Sequence, residues 1–221
     1  MNERTVAHAA EPLGDAVPVP GTPSADVLLA LVDEPLLAAA RGRARRESLH
    51  GREIRIVARE TIVTPEHALV VSASSTSTLT HWPASRGGLQ EGDHAVIQIG
   101  AAPAERERWV RWLLELSRAE LPRCSIAPCS STAAGLHPLW CIAVARLCLP
   151  SQVTIEARHD VLGIRLAQIA LGFGADVLSG PVDTDRHLPL CGVTRPDEAT
   201  ATGLATLVRH AGLVPVLEET R

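Results

Sequence analysis

The chain has 221 residues, 46% of them hydrophobic, a formal net charge of -4, and 21 basic residues that are all arginine. That length supports one sizeable core and one domain with a tail rather than two large domains. A negative balance with no basic run excludes the clustered positive charge on which phosphate-backbone binding rests, so no nucleic-acid role is expected.

Residues 1–23 are rich in Pro and Ala, with acidic residues early and no basic stretch leading into an apolar core. They read as a disordered leader rather than a secretory signal, ahead of a single domain over 24–221. No apolar run approaches the roughly 20 residues needed to cross a bilayer. The five cysteines are odd in number and scattered, which suits a reducing cytoplasm, and a cytoplasmic location is expected.

Ser24 is placed to cap a helix over 25–48, with Val27, Leu28, Leu31, Leu36 and Leu37 on its apolar side. Pro35 breaks or kinks it. Arg41, Arg43, Arg45 and Arg46 are expected on its solvated face, and Leu49, His50 and Gly51 close it. Residues 53–58 and 68–74 are short, Ile- and Val-rich strands separated by a turn around Pro65. The Ser-, Thr- and Gly-rich stretch 72–93 reads as a loop or a pair of short extended pieces. A strand follows at 94–99, then a helix over 105–120 whose Trp109, Trp112, Leu113 and Leu116 recur at i, i+3, i+4 and i+7 as one core-facing stripe.

A strand at 124–127, a helix at 138–149 and a strand at 153–157 come next. The helix over 161–173 sets Leu162, Leu166, Ile169 and Phe173 on one face and ends at Gly174, where a left-handed cap is needed. After a short strand at 176–178, Thr194 caps a last helix with Asp197 in the capping-box position, and Gly212 stops it before a strand at 213–217. Alternating helices and strands imply a parallel sheet under helical cover. Cys124 and Cys129 lie five apart in a strand, and Cys141 and Cys148 lie seven apart on one face of an apolar helix. On this spacing they serve either as small buried hydrophobes or, less simply, as metal ligands; no compact CxxC is present. Cys191, in a loop, is the one expected to be exposed.

Three blocks carry a resemblance. SQVTIEARHDVLGIRLAQIALGFGADVLSGPV at 151–182, followed by TRPDEA at 194–199 and AGLVPVLEE at 211–219, resembles the C-terminal end of the radical SAM enzymes of the futalosine route to menaquinone. Those enzymes are aminofutalosine synthase and dehypoxanthinyl futalosine cyclase, in which the text takes the form GxxxAQxALxFGANDLGGT and then AGxxPxxR. Residues 33–64 look like the family's opening helix and first barrel strand, and residues 93–130 look like a later strand and helix, in family order. The resemblance implies an incomplete TIM-barrel-like radical SAM fold with parallel strands and outer helices, lacking the strands the family carries between CSIAPCS and the LHPLW helix.

Such a barrel holds a [4Fe-4S] cluster on three cysteines, with one iron left free for S-adenosylmethionine. Here the matching stretch reads TPEHALVVSASSTSTLTHW, with His67 as its nearest metal-ligand type and no cysteine, and the family's glycine pair is replaced by IGAAP. No cofactor and no metal are therefore expected. Barrel logic places any pocket at the C-terminal ends of the strands, at Glu156, Arg158 and His159 after one strand and Asp176, Ser179 and Gly180 after the next. Glu156 and His159 can form an acid-base pair or serve a polar cap around Asp160; the resemblance carries most directly to Asp176 and Gly180. The expectation is a degenerate, non-catalytic homologue that acts as a partner or regulatory subunit of menaquinone biosynthesis, either as a homo-oligomer or beside an intact radical SAM homologue. The alternative is a non-radical enzyme or small-molecule-binding protein of the same pathway, using acid-base residues at the strand ends. Neither nucleic acid nor membrane is an expected partner.

Overall fold

Pro35 sets the first boundary. It opens helix α2 (Pro35–His50), where its missing N–H costs nothing, and separates that helix from α1 (Ala25–Ala30). Ser24 starts α1 through its carbonyl, which accepts from Leu28 N, while its hydroxyl makes no capping bond. In this computed structural model the described residues are 21–62, 68–71, 76–79, 89–130, 135–183 and 198–218. The turn at Pro65, the cap at Thr194 with Asp197, His67 and Cys191 lie outside them.

Ala38, Gly42 and Arg46, four residues apart, form the buried stripe of α2. Arg46 is thus fully buried and not on the solvated face with its neighbours. Its Nη1 donates to the Gly51 carbonyl at 3.0 Å and its Nη2 to Glu47 at 3.4 Å, which is how a buried cation is tolerated. The stripe is small because other backbone comes close. A Cβ on Gly42 would stand 2.2 Å from the Phe173 carbonyl oxygen, and one on Gly174, at φ +105°, would stand 2.7 Å from the Gly42 carbonyl oxygen.

The remaining elements follow in chain order as β1 (Glu53–Ala58), β2 (Ala68–Val71), β3 (Thr76–Leu79), β4 (His94–Ile99), α3 (Pro103–Leu116), β5 (Cys124–Ser130), α4 (His137–Cys148), β6 (Val153–Arg158), α5 (His159–Leu162), α6 (Ile164–Leu171), β7 (Val177–Gly180), α7 (Ala201–His210) and β8 (Val214–Leu217). The tryptophan stripe of α3 is buried as its period predicts, with Trp109 and Trp112 stacked at 5.3 Å. The helix expected over 161–173 is instead two pieces. Gly163, at φ +80°, breaks it and shifts its phase, so Ile164, Ala167, Ala170 and Leu171 are buried and Ile169 faces out. The last helix is capped by Thr200, whose Oγ1 accepts from Gly203 N at 3.1 Å.

The strands form one eight-stranded sheet in the order β3-β2-β4-β5-β6-β7-β1-β8. From β4 to β8 the six neighbours are all parallel, and β2 and β3 extend the sheet antiparallel beyond β4. Steps β4 to β5, β5 to β6 and β6 to β7 all run the same way, so right-handed crossovers stack their helices on one face. There α1, α2, α3, α4, α6 and α7 share a core with Ile54, Ile56, Ile97, Ile126, Ile155 and Leu178. Parallel strands backed by helices on one side are barrel-like, but β1 sits between β7 and β8 and the sheet stays open.

Edge strand β8 carries its own protection. Val214 N and Glu218 N point at β1, donating to the Arg52 and Ile56 carbonyls, so by alternation residues 215 and 217 face outward. The outward N–H of position 215 does not exist, because Pro215 stands there, and an added strand would find a donor missing.

The Gly42 contact predicts that Gly42→Ala destabilises the domain by roughly 3 kcal/mol, since the intruding methyl meets backbone that cannot swing away. Urea unfolding followed by circular dichroism measures this, and an unchanged midpoint would show that α2 does not seat on 173–174 this closely.

Candidate functional site

Strand alternation turns a second set of side chains away from the helices. From β1 and its end come Arg55, Val57 and Arg59; from β4, His94; from β5, Ser125; from β6, Thr154, Glu156 and Arg158; and from β7, Val177 and Ser179. Parallel strands buried on both sides are usually near-continuous apolar runs. Here much of the face is polar, and its Arg55, Arg59, Ser125, Thr154 and Glu156 line a groove of about 700 Å3. Small-molecule sites run to roughly 300–1,000 Å3, so the groove is of ligand size.

The groove opens toward the N-terminal ends of the strands, with Asp93, Arg123, Gln152 and His50 at its rim and Glu156, Thr154, Arg55 and Val177 along its floor. At the C-terminal end the described residues form a latch. Arg158 holds both oxygens of Asp160, at 3.0 and 2.6 Å, and donates to the Glu60 carbonyl at 2.6 Å, while Asp160 accepts from Ile62 N at 3.2 Å. Beneath that latch Ile62, Val161 and Leu162 pack on Val96, Ala127 and Cys129. The segment after β1 is thereby pinned across the strand ends where barrel logic puts a pocket.

Glu156 is the central carboxylate, 1% exposed, and its Oε1 accepts from Arg59 at 2.7 Å. Burial opposes its ionisation, but neighbouring charges on His94 and Arg59 and hydrogen bonding more than offset it and hold the carboxyl at about 2. Near neutral pH the effective partner is Arg59, because His94 is then uncharged. Glu156 Oε2 and Ser179 Oγ are both buried without a hydrogen bond of normal geometry, yet the hydroxyl lies close enough to favour the ionised form.

His94 is 3% exposed, and burial lowers it to about 4, the Arg59 and Arg158 charges pushing the same way against the pull of Glu156. Its hydrogen bonds assign its tautomer. Nε2 lies 3.1 Å from Arg158 Nη1, and a guanidinium can only donate, so Nε2 is the bare acceptor and the proton is on Nδ1. Nδ1–H then donates to Ser125 Oγ at 2.8 Å, with Glu156 Oε1 further off at 3.5 Å. This is the reverse of a serine nucleophile dyad, in which the ring must accept the hydroxyl proton. Ser125 is not activated.

Of the six residues singled out from the sequence, Glu156, Arg158 and Ser179 meet on this face. His159 is buried with its ring against Gly180, where a Cβ would come within 2.6 Å of Nε2, and it makes no ion pair with Glu156. Asp176 stands apart, immediately before β7 and not beyond its C-terminal end. Its Oδ2 accepts from Arg146 at 2.7 Å and from Ile155 N at 2.8 Å, which makes it a structural group. Arg55, Arg59, His94, Ser125 and Thr154 went unread. Their signal was a polar residue at alternate positions of strands that should be apolar on both sides.

The four cysteines among the described residues are all buried. Burial pushes Cys124 up to about 11, Cys129 and Cys148 up to about 12, and Cys141 well above the ordinary thiol range. Cys124 and Cys129 lie on β5 and Cys141 and Cys148 on α4, and they do not converge on one point as cluster ligands must. Among the described residues no group of three His, Cys, Asp or Glu could hold a metal ion, and no helix is long and apolar enough to cross a membrane. No protein-family model matches the chain, and no curated protein matches it.

Two predictions follow from these environments. His94 is depressed from 6.5 to about 4, so the unfolded state takes up its proton first and stability falls as pH drops through that window; Glu156, depressed from 4.5 to about 2, removes more stability below it. His94→Gln should therefore flatten the stability profile between about pH 6.5 and 4 in urea titrations, and an unchanged slope would place the proton uptake elsewhere. Maleimide labelling mapped by mass spectrometry should modify Cys124, Cys129, Cys141 and Cys148 only once the chain is unfolded; rapid native labelling of any of them would contradict its burial.

Proposed function

We propose that this chain is a relative of the futalosine-pathway radical SAM enzymes that has given up radical chemistry, binds a small polar molecule on the inner face of its sheet, and serves menaquinone biosynthesis as a partner or regulatory subunit. The observation that carries ligand binding is the groove, a polar cavity of about 700 Å3 cut into a sheet face that would otherwise be apolar. The pathway rests on the resemblance of residues 151–182 and 211–219.

Binding is favoured over turnover by the protonation states of Glu156 on that floor and of His94 beside it. A carboxylate held near 2 is a weak base at neutral pH, and a histidine depressed to about 4 is uncharged there, with no proton to give as a general acid and little basicity. A side-chain contact with an intact homologue is supported by the exposed Val214, Val216 and Leu217 of β8. Pro215 directs such a contact to side chains instead of strand addition.

Native mass spectrometry of the chain, taken from its own cell and then titrated with the pathway's nucleoside and naphthoquinone precursors, tests the reading. One small molecule per chain, bound and released unchanged, is the expected result. Conversion of a precursor by the chain alone would replace this reading with a non-radical enzyme, and failure to retain or bind any small molecule would overturn it.

A further inference from the structure

We infer that the groove is built for an oxyanion, a carboxylate or a phosphate group, seated on the hydroxyls of Ser125 and Thr154. The inference rests on the reading of the groove as a ligand site and specifies the chemistry of its occupant. Ser125 and Thr154 are register partners on β5 and β6, side by side on the groove floor. Each is the end of a hydrogen-bond chain that begins on an arginine. Arg158 donates to His94 Nε2 and His94 Nδ1–H donates to Ser125 Oγ at 2.8 Å; Arg55 Nη2 donates to Thr154 Oγ1 at 2.9 Å.

A guanidinium has five N–H donors and no acceptor, so neither chain can run backwards. Both hydroxyl oxygens are occupied as acceptors, which frees both hydroxyl protons to be donated into the groove. Around them the carboxylates are paired or buried. Glu156 is neutralised by Arg59 and Glu218 by Arg55, while Glu156 Oε2 and Asp93 Oδ1 are buried out of a ligand's reach. Arg123, exposed at the rim, adds a further cation. A cavity with two hydroxyl donors on its floor, Arg55 and Arg59 matched by Glu218 and Glu156, and Arg123 at its rim complements a group that accepts, and charge-assisted hydrogen bonds to such a group are the strong ones.

Amide NMR titration of the uniformly 15N-labelled chain with inorganic phosphate, benzoate and neutral benzamide tests this. Phosphate or benzoate should shift the amides of residues 123–125 and 152–156, weaken with added salt, and bind at least tenfold more tightly than benzamide; the tighter of the two identifies the source of the oxyanion. Thr154→Val, close in shape to the native residue, should weaken the preferred anion about tenfold while leaving the rest of the spectrum in place, and Ser125→Ala should do the same. Benzamide shifting those amides as strongly as benzoate, or Thr154→Val and Ser125→Ala both binding like the native chain, would overturn the oxyanion and leave a groove for another ligand. No shift of groove amides by any probe would overturn the groove as well.

Discussion

The architecture hangs on one buried ion pair. Arg146 leaves a helix in which eleven of twelve residues are buried, and it is itself fully buried. Its guanidinium meets Asp176 at 2.7 Å and the carbonyls of Leu149, Pro150 and Val153, holding both the end of α4 and the entry to β6. Asp176 in turn accepts from Ile155 N, and its own N–H donates to the Ile155 carbonyl, which fixes β7 against β6. Arg46 and His50 bring α2 to the same point. Removing one partner of such a pair leaves an uncompensated buried charge, a penalty of roughly 3–5 kcal/mol, comparable to a large share of a domain's net stability. Beside this pair the backbone of α2 comes so close to residues 173 and 174 that only glycine fits at 42 and 174.

On the opposite face arginine acts by polarity. Arg158, Arg55 and Arg59 can only donate, and so the protonation of everything they touch is decided in advance: His94 bare at Nε2, Ser125 and Thr154 left as donors, Glu156 ionised. A lysine could shed its proton in such a place and an arginine cannot. The face is consequently rigid in charge across neutral pH, which suits recognition better than proton transfer. The same Arg158 donates to the Glu60 carbonyl and, through Asp160, holds Ile62 N, which ties residues 60–62 to the end of β6.

How much of this could be read beforehand depended on how local its cause is. The strand at 94–99, the tryptophan stripe and the stops at Gly51, Gly174 and Gly212 follow from period and from positive φ, properties of a few adjacent residues. The helix over 161–173 misled because its apolar residues fit a single period that Gly163 interrupts. Arg46 misled because four neighbouring arginines look like a solvated face, while the stripe of Ala38 and Gly42 that buries it is set by the approach of α4 and of residue 173. Glu156, Arg158 and Ser179 could be picked out as polar residues at strand ends, but their partners His94 and Arg59 lie 62 and 97 positions from Glu156, on strands that reach it only through the sheet.

By itself the sequence determined the alternation of helices and strands, the parallel sheet with helical cover, and the absence of cysteines before Cys124, because each is written in residues close together along the chain. Only the tertiary structure decided that β1 lies between β7 and β8, that Asp176 braces α4 and does not face the groove, and that the cavity opens at the N-terminal ends of the strands. Those outcomes depend on which distant strands pair and which buried charge finds which partner. Such choices are made by the packing of the whole domain, where no short stretch of chain holds both members of the pair.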